Sequence, residues 1–99
     1  MAHNVRFHPE ADQESEGAVQ WYRERSAMAA AGFVAELSHA VQQVAETPER
    51  WPPYIAETRR HVFPVYPFSL IYRLVKHEVV VVAVAHAKRK PGYWISRQA

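Results

Sequence analysis

The chain has 99 residues and a mass of 11.4 kDa, is 48% hydrophobic and 22% charged, and holds three glycines and no cysteine. This bounds it to one domain, 1–99, with a modest core, and excludes disorder, collagen-like repeats, a disulfide framework, a thiol nucleophile and thiolate metal sites. The net charge of +2 hides an asymmetry, because Met1 to Glu57 carries four basic and nine acidic residues, and Thr58 to Ala99 eight basic and one acidic. Such a split points to an acidic or polyanionic partner.

Val5-Arg6-Phe7-His8 reads as a short strand cut off by Pro9, which suits the first turn of a helix. Glu10, Asp12, Glu14 and Glu16 then crowd a helix start, where the macrodipole favours negative charge. That helix is expected to run to about Arg25. Ser26 to Ala31 reads as a turn. A second helix follows on Phe33, Val34, Leu37, Ala40, Val41, Val44 and Ala45, which keep the i, i+3/i+4, i+7 spacing until Pro48. Trp51 and Tyr54, in a loop stiffened by Pro48, Pro52 and Pro53, are expected to cap the core, and Trp21 and Tyr22 are assigned to packing.

Three strands complete the chain: Thr58 to Phe63, Phe68 to Val75 and Glu78 to His86. The turn Lys76-His77 lacks the Gly or Asn of a primed turn. The last strand is apolar from Val79 to Ala85, so both of its faces must be covered and it belongs inside a sheet. The fold class is therefore α+β, in the order β-α-α-β-β-β, with a helical hairpin on one face of an antiparallel sheet. The longest apolar run has seven residues, far below the roughly 20 of a membrane span, which fits a cytoplasmic chain with no membrane partner.

The cations gather at strand ends. Arg59, Arg60, His86, Lys88 and Arg89 are expected to converge on one edge, the end of the last strand returning toward the start of the second, beside Tyr93 and Trp94. Arg73 and Lys90 extend this rim. Convergent cations with aromatics suit a phosphate backbone and unpaired bases, although basic strand ends also serve as a plain solvated rim. His86 is either a general base for a ribose hydroxyl or a structural hydrogen bond to the loop that follows. Tyr93 and Trp94 either stack on bases or pin the tail to the sheet. The histidines show no metal-ligand spacing and no cofactor motif appears, so neither a metal nor a cofactor is expected.

Taken in order, several segments resemble the RelE/ParE toxin superfamily of type II toxin–antitoxin systems. These are Val5-Arg6-Phe7-His8-Pro9-Glu10-Ala11, Trp21-Tyr22, Phe33 to Leu37, Pro48-Glu49, Arg59 to Pro64, Pro67 to Arg73 and Val84 to Trp94. The resemblance implies a small β-α-α-β-β-β fold and a cognate antitoxin in a hetero-oligomeric complex, with DNA bound only through the antitoxin. RelE-like relatives cleave mRNA on the ribosome without metal, whereas ParE-like relatives inhibit DNA gyrase. If this chain is a nuclease, the resemblance implies catalytic cations at Arg60 and Arg89 and, with a small gap in the alignment, the catalytic tyrosine at Tyr93, while the reading of the residues offers His86 or Tyr93 for proton transfer. Otherwise Arg59, Arg60, Arg73, Lys88, Arg89, Lys90 and Trp94 form a rim for target or antitoxin. Ser69 and Val62 stand where the RelE branch carries basic residues, which favours the ParE-like reading.

Overall fold

In the computed structural model, which describes residues 2–97, Asn4–Phe7 forms β1 and Pro9–Arg23 forms α1. Pro9 occupies the first turn of α1, and the His8 side chain caps it by accepting the Glu10 backbone N–H at 3.1 Å. The second helix, α2, spans Ala27–Glu46 and starts earlier than the apolar spacing predicts. Ala27, Ala29, Ala30 and Ala31 are strong helix formers, and Ser26 accepts the Ala29 N–H at 3.2 Å, so the expected turn shrinks to Glu24–Ser26. After two short 3-10 turns, Pro48–Arg50 and Ile55–Glu57, the chain forms β2 (Arg59–Val62), β3 (Phe68–Val75) and β4 (Glu78–His86).

The sheet order is β1-β4-β3-β2. As its composition requires, β4 lies inside. The β2–β3–β4 meander is antiparallel, but β1 joins β4 in parallel, so the sheet is mixed rather than wholly antiparallel. The β3–β4 turn is made by Lys76 and His77 at φ 48° and 67°, so two residues with Cβ atoms take the left-handed conformation usually left to Gly or Asn.

Both sheet faces are covered. Leu70, Tyr72, Val79, Val81 and Val84 meet the helices through Ala11, Ala18, Phe33, Ala40 and Val44. Ile71, Val82, Ala83 and Ala85 point the other way, onto Trp94, Tyr54 and Tyr93. Alternation along β4 slips at Val82, where a bulge opposite Ile71/Tyr72 sends both Val82 and Ala83 to the second face. The last pair between β1 and β4 is Phe7 with Val81. Past the bulge, β4 therefore has no neighbouring strand on that side among the described residues.

The Pro-rich loop splits its aromatics between the faces: Trp51 packs beside the helix-side core and Tyr54 beside Trp94. Tyr72 closes the loop from below by donating its buried hydroxyl to the Pro48 carbonyl, and burial pushes this phenol up to about 12.

Candidate functional site

Arg60 and Arg89 share a small pocket of about 80 Å³ on the sheet face opposite the helices, lined also by Tyr54, Ser69, His86, Tyr93 and Trp94. The route differs from the expected one. Strands β2 and β4 both run antiparallel to β3, so the end of β4 lies level with the end of β2: His86 faces Phe68, and Ser69 faces Val62. Arg60, opposite Ile71, is reached because the segment after His86 folds back across the sheet face, carrying Arg89 and Tyr93 with it.

Each arginine lies against an aromatic ring, Arg60 at 4.3 Å from the Tyr54 centroid and Arg89 at 3.8 Å from that of Tyr93. Among the described residues, no carboxylate lies within ion-pair distance of Arg60, Lys88, Arg89 or Lys90. These four are exposed. Aromatic mounting holds a guanidinium in place while its N–H groups remain available to an anion.

Other expected rim residues are placed elsewhere. Arg59 points away from the pocket and donates to the Glu49 and Trp51 carbonyls, tying the Pro-rich loop to β2. Arg73 lies two residues beyond Ile71 on β3 and reaches the Arg97 carbonyl at 3.4 Å, away from the arginine pair. Trp94 does not belong to an exposed rim. It is 2% exposed and stacks on Tyr54 at 5.6 Å, so it pins the tail to the sheet. Conversely Trp21, assigned to packing, is 52% exposed. With Tyr22, Gly17, Phe68, Val84, His86 and Lys88, it lines a second cavity of about 600 Å³ between α1 and the end of β4.

The two groups offered for proton transfer are both engaged. His86 Nδ1 accepts the Lys88 backbone N–H at 3.0 Å, so the neutral ring carries its proton on Nε2 and holds the loop. The Tyr93 hydroxyl donates to Glu14 Oε2 at 2.6 Å. Burial, and next the Glu14 carboxylate, drive that phenol well above its ordinary range.

Glu14 is the residue that sequence reasoning missed, having been grouped with the acids of a helix N-terminus. Its side chain is largely enclosed and takes four donors: Val84 N–H and Arg97 Nη1 on Oε1, Tyr93 Oη and Arg97 Nη2 on Oε2. Among the described residues, no three His, Asp or Glu side chains gather as a metal site.

A sequence profile described as the ParE toxin of the type II toxin–antitoxin system parDE matches residues 5–91. The fold is similar to a chain of the chromosomal ParDE toxin–antitoxin system from P. aeruginosa, with a TM-score of 0.76 at 13% identity over 88% of this chain and 98% of that one. It is similar also to an arginine-substituted E. coli toxin RelE in the free state, with a TM-score of 0.61 at 17% identity over 89% and 86%. The same RelE bound to an antitoxin RelBc peptide gives 0.61 at 16% identity over 99% and 97%. Comparison with curated protein sequences yields no match.

Proposed function

This chain belongs to the ParE toxin family of type II toxin–antitoxin systems, and on that premise we propose that it acts without catalysis, as a protein inhibitor of DNA gyrase held in check by a cognate antitoxin. The observation that carries this reading is the commitment of both proton-transfer candidates. Metal-free RNA cleavage needs a base for the 2′-hydroxyl, an acid for the leaving oxygen and cations for the phosphorane. Arg60 and Arg89 offer the cations. The Tyr93 hydroxyl is held as a hydrogen-bond donor to Glu14, and the neutral His86 ring has its acceptor nitrogen occupied. Ser69, which lines the pocket with the two arginines, adds no charge where the RelE branch has an arginine.

A mounted pair of arginines beside Lys88 and Lys90 suits a surface that grips an acidic or phosphate-bearing target. The antitoxin fits the same chemistry if its tail is acidic. On this reading the toxin is cytoplasmic, where gyrase and the antitoxin are found.

The deciding experiment runs purified chain in two reconstituted reactions. Inhibition of gyrase supercoiling, relieved by Arg60→Ala or Arg89→Ala and absent from the ribosomal reaction, is the expected result. Codon-positioned mRNA cuts on the ribosome, lost in Tyr93→Phe, would overturn the reading in favour of a RelE-type endoribonuclease.

A further inference from the structure

We propose that Glu14 is the positioning residue of the cationic rim: it fixes residues 91–97 against the open edge of β4 and, through Tyr93, sets where Arg89 presents its guanidinium. The proposal rests on the rim being the target-contacting surface. It concerns a residue that touches no target itself.

The geometry begins at the bulge. Where β1 stops at Phe7, β4 continues to His86 with one edge unpaired, and side chains replace the missing strand. Glu14, from the second turn of α1, accepts the Val84 N–H at 3.0 Å, and Arg97 donates to the Val82 carbonyl at 3.0 Å. Glu14 and Arg97 then join each other through two parallel bonds of 3.0 and 2.9 Å, with Glu10 a further 3.9 Å contact. A fork-to-fork carboxylate–guanidinium pair, largely enclosed, fixes orientation as well as proximity. Bare strand edges invite pairing with other chains, and this ion pair closes one.

The second consequence passes along the tail. The Glu14 oxygen that binds Arg97 Nη2 also accepts the Tyr93 hydroxyl at 2.6 Å, so one carboxylate ties down both ends of the segment holding Trp94. The Tyr93 ring is in turn the platform under Arg89, at 3.8 Å, with Arg97 at 5.1 Å. Remove the carboxylate and Tyr93 loses its hydrogen bond to Glu14, Arg97 is left with the longer 3.9 Å contact to Glu10, and the platform under Arg89 is free to turn. Arg60, on the separate Tyr54 ring, is not coupled to Glu14 in this way.

The test uses the full chain with Glu14→Leu and Glu14→Gln, read in two independent ways. On the free protein, NMR follows the ring-current shift of the Arg89 side chain over Tyr93, and hydrogen exchange at the Val84 amide relative to amides of the β2–β3 pair. Gyrase affinity is measured separately. For Glu14→Leu we expect the Arg89 shift to collapse, Val84 exchange to rise at least 100-fold against the β2–β3 reference, and gyrase affinity to fall at least tenfold. Glu14→Gln keeps one acceptor oxygen, which can serve the Val84 N–H, but puts an NH2 donor where Tyr93 donates and removes the charge facing Arg97. It should retain most Val84 protection yet lose the Arg89 shift in part, and it serves if the leucine variant does not fold. A folded variant with unchanged Arg89 shift and unchanged Val84 protection would overturn the proposal. Should the wild-type chain fail to bind gyrase, the reading of the target falls, and the NMR arm still decides the role of Glu14. Loss of affinity with the Arg89 shift intact would also overturn it, since the effect would then not pass through Tyr93.

Discussion

Gly32 offers the sharpest test of the packing, because the sign of the effect is opposite to what helix propensity dictates. A Cβ built at Gly32 would stand 2.3 Å from the Tyr66 hydroxyl oxygen and 3.3 Å from its ring carbon Cζ. Ordinary contact needs about 3.5 Å, so the hydroxyl must retreat by about 1 Å. It is not free to do so. It donates to the Ala29 carbonyl at 2.7 Å, and its ring stands edge-on to Tyr22 at 5.1 Å and Phe33 at 5.7 Å. Losing the hydrogen bond costs about 1 kcal/mol. Disturbing the aromatic contacts costs about 0.5–1.5 kcal/mol each, against a helix-propensity gain of about 1 kcal/mol for Gly→Ala. Gly32→Ala should therefore destabilise by about 1–3 kcal/mol and lower Tm by roughly 4–24 °C. The control is Gly17→Ala in α1, where nothing lies within 4 Å of the new Cβ. It should gain up to about 1 kcal/mol. Thermal and urea unfolding of the two variants read the contrast. A Gly32→Ala chain as stable as Gly17→Ala would refute the close approach of Tyr66 to α2.

Replacing Lys76-His77 by Asn-Gly should raise stability by about 1–2 kcal/mol, measured by urea unfolding, because both positions hold positive φ and the new residues tolerate it. His61 is buried, with Nε2 2.9 Å from Gln43 Oε1, and burial lowers its pKa against an opposing backbone contribution, with nearby Arg50 acting in the same direction as burial. The unfolded chain thus takes up the proton first, near pH 6.5. The stability from neutral His61 is whole above that pH and is lost as pH falls toward the folded value. Tm should drop between pH 7 and 5, with a shallower slope in His61→Phe; parallel slopes would refute the assignment. Arg59→Ala should cost about 1–3 kcal/mol of stability through two backbone acceptors, whereas Arg60→Ala should stay within about 0.5 kcal/mol and lose target affinity instead. Denaturation midpoints and gyrase affinities of the two variants separate these effects.

Much of this fold was legible in the residues because the strongest signals were periodic. Phe68–Val75 and Glu78–His86 are bounded by Pro67 and a two-residue turn, and their apolar content demands burial. The observed strands share those limits. The start of α2 was not legible from apolar spacing, since Ala27 to Ala31 provides little contrast between faces and only the Ser26 cap marks the end. The bulge at Val82 is invisible in a run of four valines, where every position is apolar and no phase change shows. The parallel pairing of β1 was equally hidden. It depends on which edge of β4 the four-residue strand can reach after the helices have packed.

Charge was the guide to the site, and it served only in part because formal charge does not tell which cations are already spent. Of the cations in the basic half, Arg59 is bound to backbone carbonyls, Arg73 leans on the Arg97 carbonyl, and Arg97 is neutralised by Glu14 and Glu10. Those interactions hold loop and tail in place. They leave Arg60, Lys88, Arg89 and Lys90 without a carboxylate partner among the described residues, on or beside the pocket that Arg60 and Arg89 share. The acidic half is partly spent in the same way, Glu14 having been drawn inward to serve a strand edge. A partner therefore meets less charge than the sequence counts, but charge held in fixed positions. Binding should consequently weaken with salt in proportion to a few ion contacts rather than to the whole excess of the basic half, and substitution at Arg59 or Arg73 should leave that salt dependence unchanged.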